Sequence, residues 1–462
     1  MSTKHILKTR DDKAPVEFVD SGDGGTFKLA EGADCSWIAA ETEFGTDKLR
    51  PRIEPWLTAL FQSEHLALLA GSGLSHAVHY LATGKLLSGM SEATFTNYNA
   101  AIADKAKESA KLAGREEGNI EDQIRVVNEL IRGIEILSSQ DSALEEPLES
   151  LRSELKTALG NFADSVLKGE NGLITAPPEK REEAFNYLVS FLMSFASRTG
   201  TRDRLQVFTT NYDRIIEAGA DAAGLHLIDR FVGSLAPIFR SSRLGIDMHY
   251  NPPGIRGEPR YLEGVARFTK LHGSLDWIST ERQIRKIGLP FGSEKIEPYL
   301  MAPGLSDGEA LNLMIYPNAA KDRETAAYPY VELFRDLAAA VCRPNSTLIS
   351  FGYSFGDEHI NRVIEDMLTI PSTHLVVIAH GDPLGRIMQT YTKLGRPAQI
   401  TLLIGAHLGD LRKLVDNYMP KPAIDRTTFK MSELLKLRWG TSQAESAPQT
   451  HEPDSANERN TF

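Results

Sequence analysis

The sequence predicts an α/β fold: a Rossmann-like parallel sheet with helices on both faces, interrupted by an α-helical insertion. After residue 200, short apolar runs alternate with amphipathic stretches, which is typical of a parallel sheet with crossover helices. One earlier run, LALLA at 66–70, has the same apolar character and ends at Gly71-Ser72-Gly73. We assign this run to the same sheet, so the helical residues between 84 and 200 interrupt the sheet domain.

An N-terminal extension, a short helix and the insertion make up most of the chain before residue 200. Residues 1–50 are polar and glycine-rich, and we expect an extension that is irregular or rich in strands. A short helix follows at 52–62. Within 85–199, apolar side chains recur at helical spacing and indicate a helical core: Ile120, Ile124, Val127, Ile131 and Ile134, then Leu148, Leu151, Leu155, Leu159, Phe162 and Val166, then Phe185, Leu188, Leu192 and Phe195.

The sheet domain is predicted to comprise residues 51–84 and 200–420. Its strands after residue 200 are expected at 205–208, 266–271, 311–316, 347–352, 373–379 and 399–404. Helices are expected at 215–224, 330–342, 359–368 and 408–418. The last residues, 441–462, have almost no apolar side chains and are predicted to form a disordered tail.

Composition limits the classes of function. The 462 residues carry a formal net charge of −11, which argues against sequence-specific nucleic-acid binding through a basic surface. The two cysteines, Cys35 and Cys342, are too few for a disulfide framework or a four-cysteine zinc site. The first residues lack the apolar segment of a signal peptide, and no stretch has the ~20 apolar residues that span a bilayer. We therefore expect a cytoplasmic protein that does not enter a membrane.

Four predicted loops follow strands and combine glycine with small polar residues. They are GSGLS at 71–75, TTNYD at 209–213, LHGS at 271–274 and FGYS at 351–354. Ligands of open parallel sheets bind beyond the carboxyl ends of the strands, so these loops form the candidate site. Glycines after a strand let backbone N–H groups approach a phosphate at a helix N-terminus, which we expect near Ser75.

Each loop also has a purely structural explanation. A Gly-Ser-Gly segment is often a tight turn, and a His before a Gly at a strand end is more often a turn residue than a catalyst. Thr210 and Asp213 fit a capping box, with Thr210 as N-cap and Asp213 at N3. Asp357 is a good N-cap for the helix at 359–368. Helix capping does not explain why an asparagine is present at position 211.

Taken together and in this order, the four loops resemble the sirtuin, or SIR2, superfamily. The resemblance extends over residues ~62–85 and ~200–410. The forms TTNYDRIIE, KLHGSLDW and SFGYSFGDEHI are most similar to bacterial SIR2-like proteins of antiphage defence, found in Thoeris-type systems or beside a HerA-type ATPase. The resemblance implies a domain that binds NAD+ as its substrate.

The resemblance also implies a role for each matching residue. Asn211 would orient water and the ribose hydroxyls, because its amide both donates and accepts hydrogen bonds. His272 would be the general base or the group that polarises the ribose hydroxyls, because histidine changes its protonation near neutral pH. The other residues that the resemblance assigns to NAD+ are Gly71, Ser72, Gly73, Ser75, Thr210, Asp213, Gly352 and Ser354.

The sequence departs from sirtuin deacylases where those enzymes hold their structural zinc and their peptide. Deacylases bind zinc with two Cys-x-x-Cys pairs, which two isolated cysteines cannot form, so we expect no zinc. The stretch after the glycine loop reads HAVHYLATGK in place of AGIPDFR, and Thr210 replaces a glutamine. We therefore expect an NAD+ glycohydrolase that releases nicotinamide and ADP-ribose and depletes NAD+ in abortive infection.

Two other functions are open at this point. One is an NAD-dependent protein deacylase, which would act only on an acyl-lysine peptide. The other is a non-catalytic subunit of a defence complex that binds NAD+ or ADP-ribose. The insertion and the N-terminal extension are where we expect contacts that build a homo-oligomer or bind a HerA-type ATPase or another defence-system partner.

Overall fold

The main sheet of the computed structural model has eleven strands among the described residues, and seven of them are parallel. The structure describes residues 4–22, 25–87, 92–112, 117–196, 202–250, 260–280, 283–300, 313–315 and 328–421. The predicted α/β class with a Rossmann-like sheet is confirmed. The parallel strands, in spatial order, are β18 (Ile400–Ile404), β17 (His374–Ala379), β16 (Ser346–Phe351), β5 (His65–Ala70), β6 (Leu205–Thr209), β12 (Val265–Lys270) and β7 (His226–Ile228).

Four antiparallel strands extend this sheet at its β18 edge. They come from the residues predicted to form the N-terminal extension: β1 (Lys4–Lys8), β2 (Val16–Asp20), β3 (Thr26–Leu29) and β4 (Phe44–Gly45). β1 pairs with β18, with Ile6 opposite Ile404, and each following strand pairs with the one before it. These four strands therefore form the outer part of the main sheet.

Helices cover both faces of the parallel strands, because neighbouring side chains of a strand point to opposite faces. Leu68 and Val207 pack on one face, whereas the next residues along each strand, Leu69 and Phe208, pack on the other. The first face is covered by α1 (Thr46–Phe61), α2 (Ser72–Thr83), α6 (Pro178–Ala196), α7 (Ile215–Ala222) and α12 (Leu411–Asn417). The second face is covered by α9 (Tyr330–Val341), α10 (Glu358–Leu368) and α11 (Arg386–Leu394).

The predicted insertion contains three further helices, α3 (Asn99–Leu112), α4 (Ile120–Ser138) and α5 (Glu145–Thr175). The apolar stripes predicted for α4 and α5 are buried in one cluster, which confirms those helices. A capping box between Asn119 and Asp122 begins α4. The same cluster includes Leu275, which lies outside the insertion, whereas Leu188 of α6 belongs to the core of the main sheet.

A second, antiparallel sheet combines strands from before and after β12 in the chain. Its strands, in spatial order, are β15 (Leu313–Ile315), β13 (Gly273–Ser279), β14 (Ile284–Lys286), β9 (Ile238–Phe239) and β8 (Phe231–Val232). The prediction that 311–316 joins the parallel sheet was wrong, because the described residues 313–315 pair antiparallel with β13. A short apolar run indicates a strand but not the sheet that it joins. The described residues also form a ribbon of β10 (His249–Tyr250) and β11 (Arg260–Tyr261), and a short helix, α8 (Glu297–Leu300).

Three other predictions have different outcomes. The predicted disordered tail, 441–462, lies outside the described residues. Among the described helices, none combines the length and the hydrophobicity that a membrane crossing requires. The predicted division into domains stays a prediction.

Two buried histidines make the free energy of unfolding depend on pH. A hydrogen bond of 2.8 Å joins His374 Nε2 to Thr401 Oγ1, and another of 2.8 Å joins His407 Nε2 to the Tyr418 hydroxyl. Burial is the main cause that lowers the pKa of each histidine from 6.5 to about 4. Between these values the unfolded chain binds protons that the folded chain does not, so stability falls as the pH drops through this window.

Acidification from pH 7 to pH 5 is therefore expected to cost about 2 kcal/mol of stability for each of these histidines. His374→Gln provides the comparison, because glutamine can still form a hydrogen bond to Thr401 but cannot gain a proton. In urea unfolding at both pH values, the variant should lose about 2 kcal/mol less than the wild type. Equal losses would contradict the low pKa of His374.

Candidate active site

The four predicted loops meet at the carboxyl ends of four central strands of the main sheet. They follow β5, β6, β12 and β16, and these strands are neighbours in the order β16-β5-β6-β12. The chain order reverses between β5 and β16, because β17 and β18 continue outward on one side and β6 and β12 on the other. Such a reversal is the switch point at which open α/β sheets bind ligands.

The first and fourth loops pack backbone against backbone at the switch point. Gly71 N–H donates to the Phe351 carbonyl at 2.9 Å, and Gly73 N–H donates to the Gly352 carbonyl at 3.1 Å. A Cβ on Gly71 would lie 2.4 Å from the Gly352 oxygen, and Gly352 has a φ of +63°. This contact requires glycine at both positions. Both N–H groups therefore already have backbone partners, and the predicted phosphate contact of this loop stays a prediction.

Gly71→Ala is expected to lower the free energy of unfolding by about 1–3 kcal/mol, because the backbone carbonyl of Gly352 cannot move away from the new methyl group. Gly160→Ala in α5 is the matched control. Nothing lies within 4 Å of a Cβ at Gly160, so this change should stabilise the helix by about 0.5–1 kcal/mol. Thermal unfolding of both variants checks the prediction, and a Gly71→Ala protein of wild-type stability would contradict the close contact.

Helix α2 brings Ser75 to the second loop. The helix begins at Ser72 rather than near Ser75, with Gly71 as its N-cap, so the predicted start of this helix was wrong. Ser75 therefore lies in the first turn, where it is buried. Its Oγ donates to Asp213 Oδ2 at 2.7 Å, which joins the first loop to the second.

Asn211 is held in one orientation by the first loop. Its Nδ2 donates to the Gly71 carbonyl at 3.0 Å and to Ser75 Oγ at 2.8 Å. Its backbone N–H donates to Thr209 Oγ1 at 3.1 Å, and that hydroxyl, which the sequence analysis did not single out, donates to the Ala70 carbonyl. Asn211 is only 6% exposed, yet its Oδ1 has no partner among the described residues. A buried acceptor of this kind marks a position for a ligand or a water.

The capping box expected at the second loop is not formed. Helix α7 begins at Ile215, so Thr210 and Asp213 both precede it. Asp213 Oδ1 accepts from the Ile215 N–H at 3.1 Å, which leaves Oδ2 to accept from Ser75. Thr210 is half-buried, and its N–H donates to the Ala70 carbonyl at 3.3 Å. The structure thus joins Asp213 to Asn211 through Ser75. The hydrogen bond of Thr210 to Ala70, in contrast, involves the Thr210 backbone and not its side chain.

His272 pairs with Asp357, which the sequence predicts only as a helix cap. Its Nε2 lies 2.8 Å from Asp357 Oδ2, and the Asp357 side chain is 5% exposed. Asp357 Oδ1 accepts from the N–H groups of His359 and Ile360, at 2.9 and 3.3 Å, so its predicted capping of α10 is confirmed. An ionised Asp357 accepts a hydrogen bond from a protonated Nε2, which leaves Nδ1 as the ring nitrogen able to accept a proton.

Ser354 lies exposed on the loop between β16 and α10. A Cβ on Gly356 would lie 3.4 Å from Ser354 Oγ and 2.9 Å from Arg386 Nη1, which places this guanidinium beside the loop. Arg386 carries no signal in the sequence, because it lies in none of the four loops and begins a separate helix, α11. The predicted contact of Gly352 and Ser354 with NAD+ stays a prediction.

The two cysteines do not contribute to this site. Both have free thiols, and burial raises the pKa of the Cys342 thiol, which keeps it protonated. Within the described ranges, no group of three or more His, Cys, Asp or Glu side chains is arranged to bind a metal ion. The expectation of no zinc stays a prediction.

Comparison with known proteins identifies the region that contains three of the four loops. Residues 205–394 match the family model described as SIR2-like domain. The match includes Asn211, His272 and Asp357 but begins after the glycine loop, which reaches the site at the end of β5. No curated protein matches the chain significantly. Residues 205–394 are thus similar to SIR2-like domains, a family that includes NAD-dependent enzymes.

Proposed function

We propose that the chain is an NAD+ glycohydrolase, which cleaves NAD+ to nicotinamide and ADP-ribose. The observation that carries this proposal is the fixed Asn211 amide, whose buried Oδ1 lacks a partner at the switch point of the sheet. His272 follows the neighbouring strand, and Asp357 holds one of its ring nitrogens. Hydrolysis of a glycosidic bond requires groups that orient and deprotonate water, and Asn211 Oδ1 and His272 are suited to these tasks. The similarity of residues 205–394 to SIR2-like domains favours NAD+ as the substrate.

In the proposed reaction, water attacks the anomeric carbon of the nicotinamide ribose as the bond to the nicotinamide nitrogen breaks. Nicotinamide leaves with the bonding electron pair and is neutral, so no strong general acid is required. Asn211 Oδ1 accepts a hydrogen bond from the water or from a ribose hydroxyl, and His272 Nδ1 takes the proton that the water loses. The proton then passes to solvent, and ADP-ribose keeps the new hydroxyl.

Asp213 adds a carboxylate that Ser75 joins to Asn211. The transition state for loss of nicotinamide resembles an oxocarbenium ion, so positive charge develops on the ribose. A fixed carboxylate close to this charge lowers the energy of the transition state. Ser75 holds both Asp213 and Asn211, which fixes the carboxylate relative to the amide. We assign Asp213 to the nicotinamide side of NAD+.

The proposal includes the biological role that the resemblance implies. Loops similar to those of SIR2-like antiphage proteins favour a cytoplasmic effector that depletes NAD+ in abortive infection. Assembly into a homo-oligomer and contact with a HerA-type ATPase or another defence-system protein belong to the same proposal. The deacylase and the binding subunit are alternatives that one assay distinguishes.

Incubation of the purified chain with NAD+, followed by chromatography, tests the proposed function. We expect nicotinamide and ADP-ribose without any acyl peptide, and neither product from His272→Ala at the same concentration of folded protein. Products that appear only when an acyl-lysine peptide is added would indicate a deacylase. Binding of NAD+ without turnover, both by the chain alone and in extracts of phage-infected cells, would overturn the glycohydrolase assignment in favour of a binding subunit.

A further inference from the structure

Tyr212 in the second loop and Arg214 directly after the loop bind the helical insertion. Asn211 and Asp213 face the first loop, where they bind Gly71 and Ser75. The residues that alternate with them, Tyr212 and Arg214, contact α4 and α5. The loop therefore lies between the reacting groups on one side and the insertion on the other.

Glu170 of α5 holds Arg214 with three hydrogen bonds. Arg214 Nη2 lies 2.5 Å from Glu170 Oε2, and the Arg214 Nε and backbone N–H donate to Oε1 at 3.2 and 2.8 Å. Glu170 is 0% exposed and Arg214 is 7% exposed, so this is a buried, bidentate ion pair. Two further guanidinium donors bind the carbonyls of Leu289 and Pro290. The backbone directly after Asp213 is thus fixed to α5.

Tyr212 links the insertion to His272. Its hydroxyl donates to Glu121 Oε1 of α4 at 3.3 Å, and its ring meets Phe162 of α5 edge-on at a centroid distance of 5.8 Å. On its other side, the ring centroid lies 6.5 Å from that of His272. Burial raises the pKa of Tyr212 well above its usual range, so the hydroxyl remains a donor. One buried side chain therefore contacts both the insertion and the proposed base.

The sheet domain holds the same loop from the opposite side. Lys270 of β12 donates to the Asp213 carbonyl and, at 3.0 Å, to Glu217 Oε1. Ser274 Oγ donates to the Tyr212 carbonyl at 3.4 Å. The loop is anchored to the sheet domain through Lys270 and Ser274 and to the insertion through Glu121 and Glu170.

We propose that the insertion sets the catalytic geometry, because α4 and α5 position the Asn211 loop and His272 through the Glu170–Arg214 pair and Tyr212. A contact that displaces these helices then changes turnover, which makes the insertion the regulatory element of the site. This inference rests on the proposed NAD+ hydrolysis. Glu170, Arg214 and Tyr212 are positioning residues, so their loss lowers kcat more than it weakens NAD+ binding.

The test compares Glu170→Gln and Tyr212→Phe with Asn171→Ala. Asn171 is the next residue of α5, and its amide donates to the Gly292 carbonyl at 2.8 Å, so the control also loses a contact of the insertion. We expect kcat for nicotinamide release to fall about 10- to 100-fold in Glu170→Gln and about three- to tenfold in Tyr212→Phe. KM for NAD+ and the melting temperature of Tyr212→Phe should stay close to wild type, and Asn171→Ala should keep its activity.

Each possible result either supports or overturns the inference. If Glu170→Gln does not fold because the Arg214 charge is left buried, Tyr212→Phe decides alone, since it removes a single hydroxyl. A wild-type kcat in every folded variant would overturn the inference while the proposed function stands. An equal loss in Asn171→Ala would also overturn it, because the effect would then reflect a general loosening of the insertion. Absence of nicotinamide release by the wild type would instead overturn the proposed function and, with it, the inference.

Discussion

Asp357→Asn is expected to lower kcat for nicotinamide release by about 10²- to 10⁴-fold. Asparagine caps a helix about as well as aspartate, so α10 should keep its N-terminus. A neutral carboxamide no longer fixes the His272 tautomer with its proton on Nε2, because the carboxamide NH2 can donate to that nitrogen. The imidazole then presents a protonated Nδ1 to the substrate and cannot act as a base.

Asp410→Asn is the matched control for this substitution. Asp410 caps α12, where its Oδ1 accepts from the Lys413 N–H at 2.9 Å, but it lies on a different helix from the His272 partner. Initial rates over a range of NAD+ concentrations, together with melting temperatures, compare the two variants. A wild-type kcat in Asp357→Asn, or the same loss in both proteins, would mean that Asp357 serves only as a helix cap.

Asn211→Ala is expected to abolish detectable NAD+ hydrolysis, with kcat at least about 10²-fold lower. The substitution removes the unpartnered Oδ1 and the two Nδ2 hydrogen bonds to Gly71 and Ser75. Water or ribose then loses the fixed acceptor that orients it. The free energy of unfolding should fall by no more than about 2 kcal/mol, because two hydrogen bonds are lost.

Nicotinamide release and urea unfolding of Asn211→Ala separate catalysis from folding. Asn171→Ala is again a suitable control, because it also removes an amide that donates to a backbone carbonyl. Turnover at the wild-type rate by Asn211→Ala would remove Asn211 from the catalytic residues. It would also remove the observation on which the proposed function rests.

Continuous apolar runs in the sequence correctly predicted the strands that are buried on both faces of the main sheet. The apolar run at 66–70 and the runs of β16, β17 and β18 are continuous because both faces of each strand are covered. The run at 311–316 has the same appearance, yet its described part belongs to the antiparallel sheet. Strand pairing depends on partners far away in the chain, and periodicity contains no information about them.

The candidate site was predictable to the extent that each residue lies in a loop after a strand. Asn211 and His272 follow neighbouring strands, as the order of the loops implied. The partner of His272 was missed because Asp357 lies 85 positions further along the chain, and capping already explained its presence. Arg214 and Glu170, 44 positions apart, gave no local signal at all, because a buried ion pair is visible only after the helices have packed.

The pairing of β5 with β16 has a consequence for synthesis of the chain. Ala70 lies opposite Phe351, although the insertion and most of the second sheet are made between them. A ribosome that has released β6 and β12 has produced Asn211 and His272 but neither Gly352 nor Asp357. The glycine loop then lacks its neighbour, and the imidazole lacks its carboxylate. A nascent chain therefore lacks these two parts of the proposed reaction centre until residues 352 and 357 have been synthesised and β16 has paired with β5.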